Sequence, residues 1–314
     1  MSQDLSPTPA GGVAAAAADV AGAADSNDAD VAGIADPHDA DLERRFGGLA
    51  RLYGPQAPAR LSAAHIAVVG IGGVGSWTAE ALARCGVGKL TLVDLDHVAE
   101  SNVNRQIHAL SSTLGQAKVA AMAERIALIN PACRVTGVDD FLTPDNAAQV
   151  LAPELDAVID CTDQASAKIA MILLARQRRQ PLLVCGGAGG KTDPLALRAG
   201  DLSASTHDAL LARLRNILRK QHGYPKPAAR AGKPGRVPRM GVQVLWLDQQ
   251  AILPSAWTGV GADVAAGSPD VSAPPPSSAP QGLSCAGYGS VVTVTAAMGL
   301  AAANQAVQIV LAGR

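Results

Sequence analysis

A short apolar strand, His65–Val69, runs straight into Gly70-x-Gly72-x-x-Gly75, and this junction constrains the chain more than any other feature. Glycines at that spacing let the backbone turn tightly and bring its amides up to a phosphate at the N-terminus of the next helix. Gly70, Gly72, Gly73 and Gly75 are therefore the candidate phosphate turn. A second apolar strand leads into Val93-Asp94-Leu95-Asp96, where a carboxylate is placed to grip ribose hydroxyls. The glycines alone would suit any dinucleotide enzyme. Asn102, Arg105 and Lys118 follow, and two cations just past the ribose acid are more than a bound dinucleotide requires. They point to a polyphosphate undergoing chemistry.

Strands and helices alternate from there. HIAVVG, KLTLVD, RVTGVDD, LDAVIDC and PLLVCGG read as strands; Gly75–Cys85, Gly115–Asn130, Thr143–Leu151 and Gln164–Arg179 read as helices between them. Asp41–Leu61 reads as an amphipathic leading helix and loop followed by a short helix. Near-continuous apolar strands separated by helices predict an α/β fold with a doubly wound, mostly parallel sheet. Ligands in such sheets sit beyond the strand C-termini. Gly70, Asp94, Asp140, Asp160–Asp163 and Gly186 fall at those ends and are expected to converge on one cleft.

The formal net charge of −1 hides an asymmetry. Residues 1–43 carry nine acids and no Lys or Arg, so the remainder is basic, at +8. The leader (1–41) lacks large apolar residues and contains a near-duplicate, VAGAADSNDAD and VAGIADPHDAD; it reads as disordered. It has neither the form of a secretory signal nor the arginines of a transit peptide. Residues 259–282, rich in Ala, Pro, Ser and Gly, read as a flexible insertion between 42–258 and 283–314. Five scattered cysteines without a Cys-x-x-Cys pair argue against structural zinc and for a reducing, cytoplasmic setting. Val291–Ala312 is apolar, yet its Ala, Gly, Thr, Asn and Gln content favours a buried or subunit-contact helix over a span, with peripheral membrane association the lesser reading.

Asp160-Cys161-Thr162-Asp163 ends a buried strand and opens a helix. A carboxylate there can hold Mg²⁺, which needs one or two carboxylates plus phosphate oxygens; the plainer reading of Asp163 is a helix cap. Lys118, taken alone, reads first as a solvated helix lysine, and only its company with Arg105, Asn102 and the glycine turn turns it to the phosphates. Arg213–Arg239 holds nine Lys/Arg and no acid, predicting a helix and a mobile loop that meet phosphates, with Tyr224 or His222 placed to stack on an unpaired base. A merely solvated loop is the alternative. Gly186–Gly190 reads as a close approach to substrate or as a tight turn. Cys285, in SCAGYGS, reads as a buried or cleft-lining thiol, with a nucleophilic or sulfur-relay role as the rival.

Together GIGGVG, VDLD, SNVNRQ, GQAK, INP and DCTD resemble the ubiquitin-activating-enzyme-like adenylyltransferases, which include the MoeB- and ThiF-type sulfur-carrier activators. Within them, RRFGGLARLYG, NRQIHAL, VDDFLTPDN, GGAGGKTDP and SCAGYGS are most similar to the bacterial branch that dehydrates threonylcarbamoyladenosine in tRNA. The resemblance implies ATP and Mg²⁺, with Asp94 on the ribose, Asn102, Arg105 and Lys118 on the triphosphate, and Asp163 on the metal. It also implies an arginine supplied by the other subunit of a homodimer, with Arg51 the candidate and Arg45 the reserve. The implied partner is tRNA carrying the modification, not DNA; a cysteine desulfurase or sulfur acceptor is a further partner it allows. Activation of a ubiquitin-like sulfur carrier is the rival function. That rival would be expected to bring zinc cysteines.

Overall fold

Strands built of unbroken apolar residues have no polar face to offer water, so both faces must be covered. In the computed structural model, which describes residues 41–227, 237–253 and 288–313, a seven-stranded sheet meets this demand. The strands are β1 (His65–Val69), β2 (Lys89–Val93), β3 (Arg134–Val138), β4 (Ala157–Asp160), β5 (Leu182–Cys185), β6 (Leu197–Asp201) and β7 (Gln243–Leu247), in the order 3-2-1-4-5-7-6. Every neighbouring pair is parallel except β6 with β7. The fold is therefore the expected doubly wound α/β sheet.

Alternate residues of each strand feed opposite layers. Ile66, Val68, Leu90, Leu92, Ile159 and Leu183 pack under α4 (Gly75–Arg84), α5 (Lys118–Ile129) and α9 (Val292–Ala312). Their neighbours Ala67, Val69, Val93 and Val158 face α6 (Ala147–Val150) and α7 (Ala165–Arg178). Val184, Val244 and Trp246 face α7 and α8 (Ala209–Gln221). Three short helices, α1 (Leu42–Phe46), α2 (Gly48–Tyr53) and α3 (Ala57–Ala63), precede β1.

The chain winds outward from β1 in both directions, so the strand order reverses between β1 and β4. The crevice left there, beyond the strand C-termini, is where such folds take ligands. At that point Gly70 has φ +87 and sits so close to Cys161 that a Cβ would lie 3.0 Å from the Cys161 carbonyl. A Cβ on Gly75 would lie 1.8 Å from the Gly70 oxygen, so the first helical turn closes onto the strand only with glycine.

Several boundaries differ from expectation, each for a local reason. The helix expected from Gly115 begins at Lys118, because Gly115 has φ +82 and belongs to the preceding turn. The helix expected over 143–151 contracts to α6: the Asn146 side chain accepts the Thr143 N–H at 2.8 Å and holds a turn instead. β6 and β7 extend the sheet beyond the last strand read from the sequence. LRAGD has too few apolar residues to announce a strand, and its ladder is supplied by β7. The α9 helix is long and apolar enough to cross a membrane, but 44% of its most apolar window is buried in the chain. Gly299 lets it press onto α4, where the Thr78 hydroxyl donates to the Gly299 carbonyl at 3.1 Å. The leader lies outside the described residues except Asp41, whose carboxylate accepts the Arg44 N–H and caps α1. The 259–282 insertion and Cys285 lie outside them as well.

Candidate active site

The crevice is a cleft of about 250 Å³ at the ends of β1, β2, β4 and β5. Its first wall is the glycine turn. Both carboxylate oxygens of Asp94 are engaged with backbone: Oδ2 accepts the Ile71 N–H at 2.6 Å and Oδ1 the Asp96 N–H at 2.9 Å. Asp94 thus braces the turn from β2, and it is 8% exposed. Burial pushes its pKa up, while the Lys118 ammonium opposes that shift. A Cβ on Gly72 would meet open space, so the turn's surface faces the cleft without a side chain in the way.

Lys118 opens α5 and is buried, so it is not the solvated helix lysine. Its Nζ lies 2.6 Å from Asp96 Oδ2 and 3.7 Å from Asp94 Oδ1. Two acids at the end of β2 hold this cation at the cleft wall, where a third anion would share it. His108, buried nearby, has its pKa pushed down to about 4 by burial and then by Lys118 and Arg125, so at neutral pH it adds no charge. Arg105 also lines the cleft. Its guanidinium donates to the Ser101 carbonyl at 2.6 Å and to Asn104 Oδ1 at 3.0 Å, and its own carbonyl accepts the Trp77 indole N–H at 3.0 Å.

The opposite wall comes from β4 and β5. Asp160, expected in the cleft, is instead fully buried beneath it and paired with Lys168, which is also fully buried. Lys168 Nζ reaches Asp160 Oδ1 at 3.0 Å and the Cys185 carbonyl at 2.8 Å, tying together the ends of two strands and α7. Asp160 Oδ1 also accepts the Thr162 N–H and hydroxyl, at 3.0 and 2.8 Å. Burial raises the Asp160 pKa and Lys168 opposes it. Nothing in the sequence pattern singled out Lys168, which reads there as one helix lysine among many.

This scaffold delivers Asp163. Its carboxylate is exposed on the cleft and has no hydrogen bond or ion pair among the described residues. Gln164 is the N-cap of α7, so Asp163 is not a helix cap. Next to it, Gly186 and Gly187 are pinned by Asp208, which accepts the Gly187 N–H at 2.8 Å and caps α8 through the Leu211 N–H at 2.9 Å. A Cβ on Gly186 would lie 2.2 Å from Asp208 Oδ2, so this glycine is needed for packing as well as for access.

The glycine turn, Asp94, Asp96, Arg105, Lys118, Asp140 and Asp163 do converge. Asn102 does not: it is buried away from the cleft lining, and its Oδ1 accepts the Ala99 N–H at 3.1 Å, closing a short 3₁₀ turn. Arg51 is exposed on α2, outside the cleft and without a partner among the described residues. Arg45 also lies outside the cleft and donates to the Ile129 carbonyl at 2.8 Å, anchoring α1 to the end of α5. Tyr224 is 4% exposed beneath the Arg176 guanidinium, so it is not placed to stack on a base. Among the described residues no group of three His, Cys, Asp or Glu could enclose a metal. The lone Asp163 carboxylate suits a cation of the Mg²⁺ kind, which is satisfied by one or two carboxylates when phosphate oxygens complete its shell.

Residues 47–313 match the ThiF family. The chain belongs to the ThiF family. Among relatives in this ThiF group, the tRNA threonylcarbamoyladenosine dehydratase of Escherichia coli K12 is 43% identical over 270 residues, covering 86% of this chain and 94% of that protein. The dehydratase of Haemophilus influenzae is 37% identical over the same shares. A crystal structure of the E. coli dehydratase in complex with ATP superposes with a TM-score of 0.70 at 39% identity, covering 87% of this chain and 96% of that one.

Proposed function

We propose that this protein is an ATP-dependent tRNA threonylcarbamoyladenosine dehydratase. The observation that carries the reading is one cleft holding an open glycine turn, two cations and an unpartnered carboxylate, in a chain that spans 94% of a dehydratase at 43% identity. The threonyl carboxylate of the modified adenosine attacks the ATP α-phosphorus. An oxygen–phosphorus bond forms, the bond to the β-phosphate oxygen breaks, and pyrophosphate leaves. The carbamoyl nitrogen then attacks the acyl carbon and loses its proton. The carbon–oxygen bond to AMP breaks and the hydantoin ring closes. Water is lost in net terms: its oxygen, taken from the threonyl carboxylate, ends on the AMP phosphate, and the proton from the nitrogen goes to solvent.

The protein's part is positioning and charge stabilisation. The glycine-turn amides and α4 N-terminus receive phosphate oxygens, Asp94 faces the ribose, and Lys118 with Arg105 offsets the charge that builds on the leaving pyrophosphate. Asp163 would hold Mg²⁺, which supplies further neutralisation of phosphate charge when bound. The test is incubation with ATP: tRNA carrying the modification should release pyrophosphate and yield a nucleoside lighter by one water, whereas a ubiquitin-like sulfur carrier should release none. Pyrophosphate release with the carrier alone would favour the rival function. We place the protein in the cytoplasm, with tRNA.

The site is composite in this reading. Arg51 projects from α2 with no partner among the described residues, while Arg45 is tied down, which supports Arg51 as the arginine that serves the second subunit of a homodimer. Mixing inactive Arg51→Ala with inactive Lys118→Ala protein should restore up to about a quarter of activity after subunit exchange, because some heterodimers regain one complete site. No recovery after verified exchange would show that Arg51 does not act in trans. Nothing in the ring closure requires a sulfur-transfer partner.

A further inference from the structure

The described part of the basic segment, 213–227 and 237–239, forms one side of a surface whose other side comes from a different part of the chain. Residues 164–192 and 209–247 contain no Asp or Glu at all. The fold packs their described parts together: Ile172 of α7 shares a core with Leu211, Leu214 and Leu218 of α8 and with Tyr224. Between the C-terminal ends of these helices lies a groove of about 340 Å³, lined by Arg176, Arg179, Gln180, Tyr224 and Met240.

The structure separates the cations here into two kinds. Arg178 and Arg215 are structural: Arg178 donates to the Leu151 carbonyl and, at 3.0 Å, to that of Ala148, while Arg215 donates to the Leu202 and Ser205 carbonyls at 3.2 and 2.9 Å. Arg176, Arg179, Arg213, Lys220, Lys226 and Arg239 are exposed and form no ion pair among the described residues. The Arg176 guanidinium carbon lies over the buried Tyr224 ring, 4.7 Å from its centroid. Arg179 occupies the left-handed region, φ 54, at the end of α7, a conformation that a non-glycine residue adopts at some cost. Arg219 spends its Nε on the Pro225 carbonyl at 3.1 Å and keeps a buried Nη2 with no acceptor among the described residues. Guanidinium groups that form no ion pair among the described residues suit the oxygens of a phosphate backbone, while the nearest groove acid, Asp201, is taken up by the Met240 and Gly241 N–H groups.

Helix α8 leads from the cleft toward the groove. Leu210, in the first turn of α8, lines the cleft, and the helix then carries Arg213 and Lys220 away from it over roughly 15 Å. We propose that α8 and the Arg176–Arg179 groove form a continuous phosphate track for the body of the tRNA, away from the base being modified. This rests on the tRNA reading above. Tyr224 serves the track as the platform that orients Arg176, not as a base-stacking ring.

The test is Arg176→Gln/Arg179→Gln in the full-length protein, with binding of a tRNA transcript measured across a salt series beside wild type. The double variant should keep its thermal midpoint and its KM for ATP, bind tRNA severalfold more weakly, and show a salt slope shallower by about 0.7 to 0.9 for each phosphate no longer neutralised. Arg176→Lys/Arg179→Lys, which keeps the charge, should retain most of the slope. A double Gln variant with wild-type tRNA affinity and slope overturns the track while leaving the dehydratase reading intact. A wild-type protein that does not bind tRNA removes both.

Discussion

Asp163→Asn should lose adenylation by about 10²- to 10³-fold while keeping its fold. Asp163 is exposed on the cleft and bonds to nothing in the described chain, so removing its charge takes no support from α7 or β4. Its value is confined to the reaction, where removing one preorganised charge-stabilising group costs roughly 3–4 kcal/mol of barrier. Binding of tRNA should persist, since the proposed phosphate track lies elsewhere. Pyrophosphate release measured at saturating ATP and modified tRNA, with a thermal melt as the control, separates these effects. Near-normal release from a folded variant would remove Asp163 from the chemistry.

Lys168→Met should show the opposite pattern, with stability lost first. Both members of the Asp160–Lys168 pair are fully buried, and Asp160 Oδ2 already lacks a partner among the described residues. Taking away the lysine leaves a carboxylate in an apolar interior with only Thr162 to satisfy it. Breaking such a pair from one side costs about 3–5 kcal/mol, which lowers the melting temperature on the order of 10 °C for a domain of this size. Because the lysine also holds the Cys185 carbonyl, the β4 and β5 ends should loosen together and the cleft lose its floor. Adding Asp160→Asn should recover part of the stability, since no unpaired charge then remains. A single variant as stable as wild type would mean that water or a shifted side chain satisfies Asp160 as well as Lys168 does.

Those two residues also mark where reading the sequence succeeds and stops. The first five strands are legible because buried parallel strands show themselves as apolar runs, and β1 announces its turn through glycines whose missing Cβ atoms the packing requires. Asp163 and Lys118 stand at strand and helix ends that local pattern can locate. Lys168 cannot be found that way. Its partners are a carboxylate eight residues back and a carbonyl on the next strand, and only the sheet brings them together. Asn102 sits within a recognisable motif, yet its amide oxygen is engaged by its own turn. Tyr224 lies in a basic, Gly- and Pro-rich stretch that reads as exposed; packing of α7 against α8 buries it. Likewise the division of the basic residues into anchored and free ones depends on which carbonyls lie within reach.

The central claim is that a tRNA-borne carboxylate, and no other group, is joined to the α-phosphorus of ATP. Labelling both oxygens of the threonyl carboxylate with heavy oxygen and running a single turnover tests it directly. The account expects pyrophosphate to carry no label, AMP to carry one labelled oxygen on its phosphate, and the cyclised nucleoside to keep the other. Label in inorganic phosphate, or AMP free of label beside a cyclised product, would contradict it, because activation would then have passed through a different bond.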